Sequence, residues 1–172
     1  MGAGKSTCGP ILARRLGWEF VDLDEEVAAA AGAPVSAIFA GEGEATFRAR
    51  EAEASRGLLR RERLVIATGG GWASNPGVAR PLPAGTRVVW LRAEPEELVR
   101  RLGPEPGAER PLLRAGDPAE VIRRLLEQRE PRYAAADLAV DTTGRAPAQV
   151  AAEIEERLLA HPRDARDPTF RS

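Results

Sequence analysis

A chain of 172 residues with 25 basic and 26 acidic side chains can bury one sizeable core, and its formal net charge of −1 gives no pull toward nucleic acid or an anionic membrane. The lone Cys8 excludes an internal disulfide and fits a reducing compartment, and one cysteine with one histidine, His161, cannot make a Cys/His zinc cluster. No apolar run reaches the roughly 18 to 20 residues of a membrane span and the first residues do not read as a secretory signal, which points to the cytosol.

In chain order, residues 5–16 read as a helix with Ile11, Leu12 and Leu16 on one apolar side, closed by Gly17. Residues 19–24, Glu-Phe-Val-Asp-Leu-Asp, read as a short strand ending in acids, and a helical stretch follows to Ala31 before a break at 32–34. Residues 35–39 are expected to be a short helix and 45–59 a longer one. The apolar run Leu64-Val65-Ile66-Ala67 has strand length and the character of a strand covered on both faces, and it ends in Thr68-Gly69-Gly70-Gly71. Residues 86–91 form a second such strand. A helix starts at Glu94-Pro95, the proline- and glycine-rich stretch 103–116 is a loop, and Asp117-Pro118-Ala119-Glu120 opens a helix that runs to about Arg129. A last strand at 138–140 and a last helix at 148–159 precede a solvated tail, 161–172. Strands alternating with helices predict a single domain over residues 1–160, an α/β/α sandwich on a parallel sheet.

The chemistry is concentrated in a few places. Gly2-Ala3-Gly4-Lys5-Ser6-Thr7 is the back half of a phosphate-binding loop, whose full pattern is G-x-x-x-x-G-K-[ST]. Amides at the helix start can hold phosphate oxygens, Lys5 can reach the β and γ phosphates and Ser6 can ligate Mg²⁺. Asp22 and Asp24 flank Leu23 at the end of a strand. The pair reads either as a metal-supporting carboxylate plus one that orients an attacking hydroxyl, or as a helix cap plus a surface acid. The glycine triplet after a buried strand lies where open α/β sheets place ligands. Arg48, next to Phe47, can grip a carboxylate with two prongs, although Arg50, Arg56, Arg60 and Arg61 are surface alternatives. Arg110, in the loop, reads as a lid arginine or as a solvated charge.

Together the segments GAGKST (2–7), FVDLD (20–24), GEATFR (43–48), GGG (69–71), RPLL (110–113) and REPRY (129–133) resemble the shikimate kinases, small P-loop kinases, over nearly the whole chain as far as Leu159. That resemblance implies transfer of the γ-phosphoryl group of ATP to the 3-hydroxyl of shikimate, with Mg²⁺, by a monomer. It implies Lys5, Asp24 and Arg110 as catalytic groups, and Ser6 and Asp22 toward the metal. Arg48, Arg129, Gly70, Gly71, Phe39, Phe47 and Asp24 would receive shikimate. Gly2, Ala3, Gly4, Lys5, Ser6, Thr7, Arg101, Arg110, Arg145 and Pro147 would receive ATP. The implied fold has five parallel strands in the order 2-3-1-4-5, a substrate-binding region at about 25–61 and a lid at about 103–116. In that pattern a central strand and the first loop glycine stand before the segment matching Gly2, so the first strand is expected to be missing from this chain. Competing readings are a P-loop kinase with a gluconate-like or nucleoside monophosphate acceptor, and a catalytically silent nucleotide-binding protein.

Overall fold

Gly4 starts the first helix from a left-handed conformation, φ 91°, that a residue with a Cβ rarely adopts. Its carbonyl accepts from the amides of Thr7 and Cys8 at 3.1 and 2.7 Å, and α1 (Lys5–Leu16) runs on until Gly17, at φ 66°, bonds back to the last turn. This computed structural model describes residues 2–103 and 117–160. The elements that follow are β1 (Glu19–Asp22), α2 (Leu23–Ala31), α3 (Val35–Leu58), β2 (Leu64–Ala67), a 3₁₀ turn (Trp72–Ser74), β3 (Val89–Arg92), α4 (Pro95–Leu102), α5 (Pro118–Tyr133), β4 (Leu138–Asp141) and α6 (Pro147–Ala160). The expected loop and lid, apart from Gly103, and the expected tail lie outside the described residues.

Four element boundaries differ from expectation. The first strand stops at Asp22 instead of running to 24, because the Asp22 side chain accepts from the Asp24 amide at 3.0 Å and caps α2. The two helices expected at 35–39 and 45–59 join into α3, with the break reduced to Gly43 at φ 82° and ψ 168°. The strand expected at 86–91 is shifted to Val89–Arg92, since the Val88 amide is taken by the Asp137 carboxylate at 2.8 Å rather than by a ladder partner. Helix α5 continues past Arg129 to Tyr133 and carries Pro131 in its last turn.

All strand pairs are parallel, but they do not make one sheet. Strand β1 pairs with β2 from Glu19↔Leu64 to Asp22↔Ala67, and β3 pairs with β4 from Val89↔Leu138 to Arg92↔Asp141. The order therefore reads as two flanks, β1-β2 and β3-β4, of the arrangement implied by the resemblance. Strands β2 and β3 line one cavity of about 580 Å³ with Leu12 and Leu16 of α1 and Ile154 and Leu158 of α6. Leu64, Val65, Ile66, Val89, Trp90 and Leu91 are consequently half-buried, not covered on both faces as their apolar runs suggested.

The core is built in local packets around these pairs. Cys8 and Leu12 of α1 pack with Leu138 and Val140 of β4 and Val150, Ala151 and Ile154 of α6. On the other side Leu23, Ala52, Leu58, Trp72 and Val78 form a second packet, and Val27, Ile38 and Phe47 a third. Each fully buried side chain of this kind contributes about 1.5 to 3 kcal/mol. The parallel strands place their C-terminal ends, Asp22, Ala67 and Arg92, toward the start of α1, which is where the site forms. Among the described residues, no helix is long and apolar enough to cross a membrane.

Candidate active site

The first amides of a helix have no intrahelical acceptor, and α1 begins with no side-chain cap, so its N-terminus offers donors and the positive end of a dipole to an anion. Gly2, Ala3, Gly4, Lys5, Ser6 and Thr7 line one side of a cavity of about 940 Å³. A Cβ at Gly2 would lie 3.2 Å from the Leu98 carbonyl oxygen, so the loop lies close against α4. The Ser6 hydroxyl donates to Asp22 Oδ2 at 2.6 Å. These are hard oxygen donors of the kind Mg²⁺ takes. Among the described residues no group of three or more His, Cys, Asp or Glu could hold a metal ion. The pair therefore fits a Mg²⁺ that draws its remaining ligands from water and phosphate.

Opposite the loop, α2, α3 and the turn after β2 make an acceptor wall. The break at Gly43 lets the second part of α3 turn Phe47 inward, 3% exposed, where its ring meets Phe39 at 4.7 Å between centroids. Arg48 lies over the same ring, 5.3 Å from its centroid. Its guanidinium is held by Glu51 Oε2 at 2.9 Å and Glu44 Oε1 at 3.0 Å. Burial works against its charge, but these two carboxylates outweigh that and keep it protonated. A Cβ at Gly71 would fall 2.5 Å from Arg48 Cζ, so the guanidinium crosses the turn directly against the bare glycine and a side chain there would displace it.

Glu51 is fully buried. The Asn75 amide donates to Glu51 Oε2 at 2.9 Å and to the Arg48 carbonyl at 2.8 Å, and its oxygen accepts from the Gly77 amide at 2.9 Å. Trp72 adds a second latch by donating to the Ser55 hydroxyl at 2.8 Å. The turn that carries the glycine triplet is thus fastened to α3 at two points.

Asp24 belongs to the first turn of α2 and lines the cavity with Asp22, and the buried Glu51 lies near it beside Gly69. A Cβ at Gly69 would lie 3.0 Å from Asp24 Oδ1 and 3.1 Å from Glu51 Oε1. Both of those oxygens are buried without a hydrogen-bond partner. Burial, then the charges of Asp22 and Glu51, raise the Asp24 carboxyl above its ordinary value, against the pull of Lys5 and Arg48. Asp24 lines the cavity, and its unpartnered oxygen suits a ligand that brings hydroxyl donors.

The remaining wall comes from α4, α5 and the turn into α6. Arg101 donates to the Thr142 carbonyl at 2.6 Å, to the Thr142 hydroxyl at 3.0 Å and to Glu97 at 2.7 Å. Thr142 is 2% exposed and passes the chain of bonds to the Arg92 carbonyl at 2.9 Å. Arg145 pairs with Glu153 at 2.5 Å, and Pro147 opens α6 beside it. Arg129 of α5 also lines the cavity.

The structure therefore gathers into one cavity every residue singled out from the sequence except Arg110, which lies outside the described residues. It does not place Asp22 and Asp24 on one strand; they approach because one caps the helix that holds the other. Sequence reasoning missed Glu51, Asn75 and Thr142. The spacing of Arg48 and Glu51, three residues apart on a helix, was a usable sign. Asn75 and Thr142 are joined to the site by contacts distant in sequence and gave none.

A glycine-capped helix whose lysine and serine face a cleft beside paired carboxylates, on parallel strands that end there, defines a P-loop phosphotransferase. Comparison with known proteins narrows this. The shikimate kinase family model matches residues 1–159. A shikimate kinase of Moorella thermoacetica is 46% identical over 160 residues, covering 93% of this chain and 91% of that protein. One of Synechococcus sp. strain RCC307 is 44% identical, covering 92% and 78%. Among solved structures, a shikimate kinase from Acinetobacter baumannii in complex with shikimate superposes with a TM-score of 0.88 at 36% identity, over 95% of this chain and 91% of that one. Shikimate kinase from Aquifex aeolicus gives 0.76 at 33% identity, over 94% and 92%. The chain belongs to the shikimate kinase family.

Proposed function

We propose that this protein transfers the γ-phosphoryl group of ATP to the 3-hydroxyl of shikimate, giving shikimate 3-phosphate and ADP. The observation that carries this is Asp24, whose buried Oδ1 has no hydrogen-bond partner, lining the same cavity as Arg48 and the phosphate loop. A small acid bearing several hydroxyls matches both ends: its carboxylate goes to Arg48, Arg129 and the amides near Gly70 and Gly71, and its hydroxyls go to Asp24. Phe39 and Phe47 then pack against the ring.

In the reaction the acceptor oxygen attacks the γ-phosphorus as the bond to the β–γ bridging oxygen breaks, the electron pair leaves with ADP and the hydroxyl proton passes to Asp24. Burial and the neighbouring carboxylates raise the Asp24 carboxyl, which makes its carboxylate a better proton acceptor than that of an ordinary aspartate. Lys5 and the loop amides from Gly2 to Thr7 hold the β and γ phosphates and receive the charge that moves onto the leaving group. Ser6 and Asp22 would hold Mg²⁺, which when bound neutralises phosphate charge. Arg101, Arg145 and Pro147 border the place left for the adenine. The free, buried Cys8 supports a reducing, cytosolic setting, and we propose that the protein acts there as a monomer.

A panel of acceptors tests the reading. With MgATP, ADP release should depend on shikimate and not on gluconate or nucleoside monophosphates. Release driven by one of those acceptors, or ATP binding with no transfer to any of them, would replace it with a competing reading.

A further inference from the structure

Tyr133 is the last residue of the REPRY segment, and the proposed chemistry leaves it without a role. Its hydroxyl donates to the Gly70 carbonyl at 2.5 Å. Its ring is 5.6 Å from that of Trp90 on β3, tilted by 40°, so the phenol is braced from behind. Tyr133 lies in a smaller cavity of about 240 Å³ on the β3 side of the glycine turn. Gly70 borders both cavities, whereas Gly71 borders the larger one, with Arg48 against it.

One planar trans peptide joins Gly70 to Gly71, and in such a unit the C=O and the N–H point in opposite directions. A hydroxyl that holds the Gly70 oxygen toward β3 therefore turns the Gly71 N–H away from β3. Glycine on both sides of the peptide makes that orientation easy to lose, since neither residue restricts the dihedral angles that rotate it. The same bond docks α5 against the turn. Arg129 is one helical turn before Tyr133 and so projects from the same face of α5.

We propose that Tyr133 is a positioning residue for the acceptor's carboxylate. Its hydroxyl sets the Gly70–Gly71 peptide so that the Gly71 N–H joins Arg48 as a donor, and it holds α5 where Arg129 completes the receptor. This rests on the reading above that these groups receive the carboxylate of shikimate.

Tyr133→Phe keeps the ring and removes only the hydroxyl. The shikimate KM should rise about 3- to 10-fold, the range of one ordinary hydrogen bond, with the ATP KM and kcat within about twofold of wild type. KM does not depend on the fraction of folded enzyme, so a partly unfolded preparation still reports the effect. A purely structural role would raise both KM values together. As a second arm, Tyr133→Phe should raise the KM of the carboxamide analogue of shikimate less than that of shikimate, because the oriented N–H bonds a neutral carbonyl more weakly than an anion. An unchanged shikimate KM, equal rises for both substrates, or the same ratio with the carboxamide overturns the proposal while leaving the acceptor assignment intact. Wild-type enzyme with no shikimate-dependent turnover overturns the acceptor assignment and this proposal with it.

Discussion

On the acceptor wall the Arg48 side chain is 18% exposed and its partner Glu51 0%, while on the nucleotide wall Arg145 and Glu153 stay 32% and 30% exposed. The first pair is fastened further by Asn75, and its loss leaves a charge stranded away from water. The second is screened by solvent and worth at most about 1 kcal/mol. The difference teaches where this fold invests in rigidity. On the proposed reading, shikimate is small and has to be oriented by side chains already in place, whereas ATP would draw on backbone amides that the helix start supplies in any case.

Substitutions can break or sharpen that contrast. Asp24→Asn should cost the most, lowering kcat about 10²- to 10⁴-fold by removing the proton acceptor while equilibrium binding of ATP is retained. Arg48→Lys comes next: loss of the two-pronged contact should lower kcat/KM for shikimate about 30- to 100-fold and leave the ATP KM in place. Glu51→Gln should lower kcat/KM for shikimate about 10-fold, as Arg48 loses its buried partner. Arg145→Ala should raise the ATP KM by no more than about threefold. Should Arg145→Ala prove as damaging as Arg48→Lys, the contrast between the walls disappears.

The pH dependence sharpens the same comparison. The Asp24 carboxyl is raised above 3.8, so the acid limb of kcat/KM should lie above that value, and Glu51→Gln, which removes one of the charges raising it, should move the limb down. The sign for stability is opposite to that of a salt-bridged aspartate. Native protein keeps a proton that the unfolded chain has already released, so the contribution of Asp24 falls as pH rises from 3.8 through its native value. Denaturation of Asp24→Asn across that interval should lack this loss.

The parts of the site that follow from local rules were legible in the sequence. Gly4-Lys5-Ser6 at a helix start, acids after a strand and glycines after an apolar run each express chemistry within a few residues. What was not legible depends on tertiary pairing. Asn75 is 24 and 27 residues from the groups it bonds, and Thr142 is 41 from Arg101. The strand boundaries shifted for a related reason: a side chain, Asp22 or Asp137, took an amide that propensity alone assigned to a ladder or a longer strand. Leu64 to Ile66 read as doubly covered because their sequence is apolar throughout, and the cavity between β2 and β3 leaves them half-buried instead.

The most direct measurement follows the label from γ-³²P-ATP in a single turnover with magnesium and shikimate. We expect the label to appear on shikimate in step with ADP formation. Label that stays on ATP, or passes to water as inorganic phosphate, would contradict the account.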